Sequence, residues 1–200
     1  DVVRDQGDSA AARTLYEQSL AIFRELGDPW GIAGTLADLG SLAREQCDCA
    51  TAKSHYAESI KIFQELGFKR GIARLLECFA CAAAVQCEAE RSLRLAGAAA
   101  ALRQTIGAPL TSAEQAKLEA ILHPARMSLT QTVGSEAWLE GTALPIEKAI
   151  EEAMRRAVQR AVWEHKQLGY PIYALKNGRM QWIPPEEIEV EKPADDEPAN

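Results

Sequence analysis

The sequence predicts an all-α protein: a solenoid of stacked helical hairpins with a period of about 40 residues, carrying a small C-terminal helix plus β-hairpin appendage. The first observation is a repeat. Residues 6–36 and 46–76 restate one another, with Gln, Asp, Ala, Ala, Tyr, Ser, Ile-Phe, Glu-Leu-Gly, Gly-Ile-Ala and Leu recurring in register. The second is spacing, since the apolar residues of each copy recur at helical intervals and stop at a glycine. The third is composition: abundant Ala with only 6% aromatic residues suits closely packed helices.

Two hundred residues allow one or two domains with ample core. The formal charge of -7 argues against a general affinity for nucleic acid or anionic membrane. No apolar run approaches the roughly 20 residues of a membrane span, and no charged start followed by an apolar stretch reads as a signal peptide. A cytoplasmic protein without a cofactor is expected.

Shifted by one period, residues 2–6 fall on 42–46, the last part of a second helix. The first hairpin is therefore expected to be truncated at Asp1, and the chain to be the tail of a longer polypeptide or one cut through a repeat.

In the first full unit Asp8 is the expected N-cap, and Leu15, Ser19, Ile22, Phe23 and Leu26 form the inward stripe. Gly27 supplies the left-handed residue that ends the helix. Asp28 caps the next helix with Pro29 at its first position, where a missing N–H costs nothing. That second helix carries Ile32, Leu36, Leu39 and Leu42 to about Arg44. The second unit repeats the plan, with Asp48 as cap, Tyr56, Ile60, Phe63 and Leu66 as the stripe, Gly67 as stop and residues 71–86 as partner helix.

The third unit keeps the period but not the letters: Gln86 follows Gln46, Leu102 follows Ile62, and Ile106-Gly107 follows Leu66-Gly67. Terminal units of a solenoid diverge because one face meets solvent. Beyond it, Thr111 and Glu114 fit a capping box opening a helix to about Leu122, where Pro124 is expected to interrupt or kink it. Gly134 is expected to end the next stretch, Ser135 to cap a short turn around Trp138, and Pro145 to open a long helix to Leu168.

Within residues 11–34 the run Ala-Arg-Thr-Leu-Tyr-Glu-Gln-Ser-Leu-Ala-Ile-Phe-Arg-Glu-Leu-Gly-Asp, then Gly-Ile-Ala, resembles the tetratricopeptide-type repeats at the carboxyl end of large bacterial regulators. Those are LuxR-type regulators and cyclase- or kinase-linked signal-transduction ATPases. The resemblance extends through Leu95-Ala96-Gly97-Ala98-Ala99, Ile106-Gly107-Ala108-Pro109 and residues 138–150. It implies a right-handed solenoid that binds a protein or peptide in its concave groove, or restrains an upstream domain of the same polypeptide. The chain departs from the pattern where Cys47 and Cys87 replace the turn glycine seen at Gly7, and at Pro124.

The implied organisation is a repeat domain over 1–145, with 108–145 as closing helices, an appendage over 146–190, and a disordered acidic tail over 191–200. In the appendage, Gly169 stops the long helix and Asn177-Gly178 is a two-residue hairpin signal. That turn pairs Leu175 with Met180, Tyr173 with Trp182, Lys176 with Arg179 and Ala174 with Gln181. A lone hairpin is marginal in water, so its apolar face is expected to cover the long helix, through Val158, Val162 and His165, or a partner chain.

Chemistry is sparse. Cys78 and Cys81 share a helical face, while Cys47 and Cys87 stand one period apart beside Cys49, which raises a metal or thiol-sensing alternative. Buried thiols also serve as small apolar groups, and paired zinc-ribbon spacing is absent. On the appendage Arg155, Arg156, Arg160, Lys166, Lys176 and Arg179 could contact nucleic acid. The better reading is a self-paired face, with Glu151 and Arg155, Glu152 and Arg156, and Arg160 and Glu164 at helical spacing. No phosphate loop, Gly-x-Ser-x-Gly elbow or His-Glu-x-x-His motif occurs, and His55, His123 and His165 are scattered, so no catalytic residue is assigned.

In a solenoid of this kind the first helices line the concave side. Matching positions there are Arg13 with Lys53, Tyr16 with Tyr56, Glu17 with Ala57, and Gln18 with Glu58. Arg13, Tyr16, Glu17, Lys53, Tyr56 and Glu58 are thus the expected partner-binding residues, with Tyr16 and Tyr56 divided between groove and core.

Overall fold

Left-handed residues stand 20 apart along the chain and turn every helix of the repeat array in the same way. The computed structural model describes residues 2–176 and 179–190. Its turn residues Gly27, Cys47, Gly67, Cys87 and Gly107 have φ of 64°, 61°, 64°, 58° and 62°. After each, the next backbone N–H closes a six-residue ring. Asp28 N donates to Phe23 O at 3.0 Å, Asp48 N to Ala43 O at 2.9 Å, Phe68 N to Phe63 O at 2.8 Å, Glu88 N to Ala83 O at 2.9 Å and Ala108 N to Arg103 O at 3.0 Å. This is the Schellman closure, which satisfies carbonyls left open at a helix end. Cys47 and Cys87 thus do a glycine's task.

The helices between these turns are α1 (Val2–Leu26), α2 (Pro29–Glu45), α3 (Cys49–Glu65), α4 (Lys69–Val85) and α5 (Ala89–Thr105). They are followed by α6 (Ser112–Met127), α7 (Gln131–Ala143) and α8 (Ile146–Gln167). The chain divides into two units, one ending at Ala153 and the other beginning at Met154, inside α8. The first unit is an all-α stack of helical hairpins. Asp28 Oδ1 accepts from Trp30 N and Asp48 Oδ1 from Thr51 N, each at 3.0 Å, and Pro29 opens α2.

Consecutive helices pack from α1 to α5, and α5 then packs on α7. The seams are built from small residues facing large ones. A Cβ at Gly31 would lie 2.3 Å from the Phe23 ring, and one at Gly71 would lie 2.6 Å from Phe63, so the recurring Phe and Gly of the two copies form one contact used twice. Leu36, Tyr56, Ile60, Leu75, Leu76, Phe79 and Leu93 fill the core, each contributing roughly 1.5–3 kcal/mol on burial. Buried hydroxyls tie adjacent hairpins together. Ser59 Oγ donates to Ala33 O at 2.6 Å, and Ser92 Oγ to Ala80 O at 2.9 Å.

Several expectations are corrected. Asp8 is not a cap, because α1 runs unbroken through Gly7 and Asp8. Continuing the helix satisfies the backbone of residues 2–6 within the ladder, whereas a turn needs a second helix to pack against. Of the expected stripe on α1 only Ser19 and Phe23 are partly buried, and Leu20 and Tyr16 turn inward beside them; Leu15, Ile22 and Leu26 are 63%, 54% and 72% exposed. Among the described residues α1 has α2 as its main neighbour, whereas α3 lies between α2 and α4, with Ile62 packed on Leu20, Leu36 and Leu39.

Pro124 does not stop α6, which continues to Met127 with Ser128 N donating to Pro124 O at 3.0 Å. Pro124 and Ala120 are both exposed, so water can serve the carbonyl that the proline deprives of a donor, while Leu122 and Ala125 anchor the buried side. The Thr111–Glu114 capping box is present. Gly134 and Ser135 lie inside α7, capped by Thr130 rather than Ser135. The buried residues Gly134, Ala137 and Gly141 give α7 a narrow face that seats it against α5.

In the second unit α8 ends at Gln167, and Gly169, with φ 72°, makes the turn that follows. Strands β1 (Ile172–Lys176) and β2 (Arg179–Ile183) pair antiparallel in the expected register, Tyr173 with Trp182 and Leu175 with Met180. Lys166 Nζ donates to Ile188 O at 2.8 Å beyond the turn Pro185–Glu187. The turn Asn177-Gly178, the tail 191–200 and the side chains of Val158, His165, Tyr173, Leu175 and Met180 lie outside the described residues. Glu151 meets Lys148 at 2.8 Å and Glu152 meets Arg94 at 2.9 Å, while the side chains of Arg156, Arg160 and Glu164, and with them two of the expected helix-face pairs, lie outside the described residues.

Candidate functional site

Second helices α2 and α4 touch each other directly, and beside them α1 closes a cleft of about 380 Å³. From α2 come Asp38, Leu42 and Glu45, which share one helical face, with Ser41 beside them; from α1 come Ser9, Ala12 and Tyr16. Arg74 of α4 completes the wall and bonds the Asp38 carboxylate. The cleft therefore offers a mostly polar lining in which Ala12, Leu42 and the Tyr16 ring lie between the Asp38–Arg74 ion pair and the exposed Glu45 carboxylate. Glu45 holds Arg44 at 3.6 Å.

Beneath the α2–α4 seam lies a neutral polar layer. Tyr56 is fully buried, its hydroxyl donates to Ser41 Oγ at 3.4 Å, and Ser41 Oγ donates to Ala37 O at 3.0 Å. Burial pushes the Tyr56 phenol and the Cys78 thiol up, and the Cys81 thiol up to about 12. The pair on α4 is thus held as thiols, the form that neither attacks nor ligates. Burial likewise lowers His55 and keeps its imidazole neutral.

The six expected partner-binding residues are not gathered in one place. Tyr16 lines the cleft. Tyr56 belongs to the core, T-shaped against Phe79 at 5.5 Å, and Lys53 is only 8% exposed. Arg13 donates to Gln46 Oε1, and Glu58 holds Arg24 at 3.2 Å; Glu17 is exposed. Asp38, Ser41, Leu42, Glu45 and Arg74 were not anticipated. Their signal was the presence of Asp38 and Arg74 in second helices otherwise rich in Ala, Gly and Leu.

None of the five cysteines is in a disulfide: Cys47 and Cys87 are exposed, Cys49 and Cys81 buried, and Cys78 lies between. Among the described residues no group of three or more His, Cys, Asp or Glu is placed to hold a metal ion, and no helix is long and apolar enough to cross a membrane.

No curated protein and no solved structure matches the chain. Residues 1–65 match the family model of the tetratricopeptide repeat. That span holds every cleft residue except Arg74, and it supports a tetratricopeptide-like repeat there, a type of repeat that generally mediates protein binding.

Proposed function

We propose that this chain is a protein-interaction module, the regulatory part of a cytoplasmic bacterial signal-transduction or transcriptional regulator, and that its partner or an attached domain docks in the cleft between α1, α2 and α4. The observation that carries the reading is the cleft itself, in which a tyrosine ring, an ion pair and an exposed carboxylate line one mostly polar wall of the repeat array. A peptide segment gains burial from Ala12, Leu42 and Tyr16 and register from Asp38, Arg74 and Glu45. Of the first-helix residues outside the cleft, Arg13 and Glu58 are engaged with Gln46 and Arg24, while Lys53 and Tyr56 act by supporting the fold. Tight interfaces concentrate their energy in such aromatic and arginine contacts.

The test places a photo-crosslinking phenylalanine analogue at Tyr16 in the native host. A discrete adduct is expected, and Glu45→Lys with Arg74→Glu should remove it while leaving the thermal midpoint of the purified chain within a few degrees. Absence of an adduct, or one indifferent to both charge reversals, would sink the reading.

A further inference from the structure

A second cleft, distinct from the first, opens where the repeat array meets its closing helices. In α3 the positions 58, 61 and 65 carry Glu, Lys and Glu; one period later, on α5, they are Ala98, Ala101 and Thr105. These short side chains leave about 250 Å³ between α4, α5 and the α7–α8 elbow. Leu76, Leu102, Leu144 and Ile146 give it apolar walls, and Lys69 stands at its mouth.

The mouth is charged in an unusual sense. The equivalent turn one period earlier reads Asp28-Pro29-Trp30, an acidic cap; here it reads Phe68-Lys69-Arg70, with no side-chain cap on α4. Two cations in the first turn of a helix oppose its dipole, and folding gains nothing from them. Both are exposed, and neither forms an ion pair among the described residues. Glu114, within the field of Arg70, is bonded into its own capping box with Thr111. The arrangement suits an anion arriving from outside.

We propose that this slot docks an acidic segment of a partner protein, one large apolar side chain entering between Leu76, Leu102 and Ile146 while neighbouring carboxylates meet Lys69 and Arg70. Its volume lies below the roughly 300–1,000 Å³ of small-molecule sites, which fits a single anchoring side chain. Charge complementarity selects the partner's sign. The proposal does not depend on the first cleft.

The probe is a fluorescein-labelled 12-residue peptide with one leucine between two Asp-Glu pairs, titrated by anisotropy against the full chain. Saturable binding is expected, weakened at least ten-fold by Ala101→Leu, which fills the slot, and at least ten-fold by Lys69→Glu with Arg70→Glu, which are surface changes that spare the fold. Replacing the peptide's leucine by alanine, or its acids by lysine, should cost as much, whereas Tyr16→Ala should change nothing. No saturable binding, indifference to the charge reversal, or equal binding of the lysine peptide would overturn the proposal. So would a dimer in sedimentation equilibrium that Ala101→Leu dissociates, because the slot would then belong to a second copy.

Discussion

Gly141 of α7 lies against the backbone of Arg94 on α5, so close that a Cβ at Gly141 would meet the Arg94 carbonyl oxygen at 2.0 Å. From the other side, a Cβ at Gly97 would meet the Trp138 carbonyl oxygen at 2.4 Å. Neither neighbour is a side chain that can swing away. Gly141→Ala should therefore separate α5 from α7 and cost about 2–4 kcal/mol in urea denaturation, in the range of overpacked cores. Gly134→Ala on the same helix meets Leu93 Cδ1 at 3.5 Å and Leu129 Cβ at 3.9 Å, both ordinary contacts, and better helix propensity should make it neutral or stabilising by up to about 1 kcal/mol. Equal effects at the two sites would refute the close approach.

The Cys47 and Cys87 turns hold a side chain where Gly27, Gly67 and Gly107 hold none, all at φ near 60°. A non-glycine residue in that region costs about 1–2 kcal/mol, offset in part by the entropy a glycine loses on folding. Cys47→Gly and Cys87→Gly should each stabilise by about 0.5–1 kcal/mol, additively, since the turns are separate. The reciprocal change Gly67→Cys should destabilise by a similar amount; a Cβ there meets nothing within 4 Å, so the penalty is backbone strain alone. Denaturation midpoints of the three variants decide the point.

Arg103 on α5 clamps Glu77 on α4 with two bonds, Nε to Oε1 at 2.5 Å and Nη2 to Oε2 at 2.9 Å, and donates a third to Ala108 O at 3.2 Å. The two side chains are only 10% and 12% exposed. Arg103→Ala leaves a carboxylate in a place built for a pair, and should cost about 3 kcal/mol. Arg24→Ala, which breaks the pair with Glu58 at 54% and 49% exposure, should cost less than about 1 kcal/mol. Replacing Arg103 and Glu77 together by Met should recover much of the first loss. A double-mutant cycle by thermal unfolding would show no coupling if the clamp were incidental.

Hydrogen bonds from Thr51, side chain and backbone, hold the Asp48 carboxyl below its usual 3.8. A depressed folded-state pKa gives stability that is fully present above about pH 4 and is lost as pH falls through the lower folded value. Asp48→Ala should cost about 1 kcal/mol at pH 7, as for other N-caps, and the difference from the parent should shrink below pH 4. Asp48→Asn keeps an acceptor and should lose little at pH 7, with no such pH dependence. A parent–Ala gap that persists at pH 2.5 would mean the residue acts by some route other than its charge.

Local chemistry was legible in the sequence. The caps at Asp28 and Asp48, the stops at Gly27 and Gly67, the Thr111–Glu114 box and the hairpin register each depend on a few neighbouring residues. The errors arose where distant packing overrules local signals. Gly134 reads as a helix end until α5 is seen to need a narrow face opposite it, and Pro124 reads as a break until Ala120, whose carbonyl it deprives of a donor, is found exposed. The cleft was hidden for a further reason: period alone does not say which helices approach across the stack, and Asp38 and Arg74 meet only because α2 touches α4.

Burial grades the cysteines, and this gives the sharpest test of the folded array. Cys47 and Cys87 are exposed and should react with maleimide within minutes at pH 8, the half-buried Cys78 should react more slowly, and Cys49 and Cys81 should label only as fast as the chain opens. Burial raises Cys81 from its ordinary 9.0 to about 12. A thiol whose folded value is raised contributes stability that is complete below about pH 9. That contribution falls as pH climbs toward 12, because the unfolded chain ionises first. The parent should thus lose stability over that window faster than Cys81→Ala, even though the alanine variant is less stable at pH 7 through lost packing. Rapid labelling of four or five thiols in the folded chain would mean that the array is open.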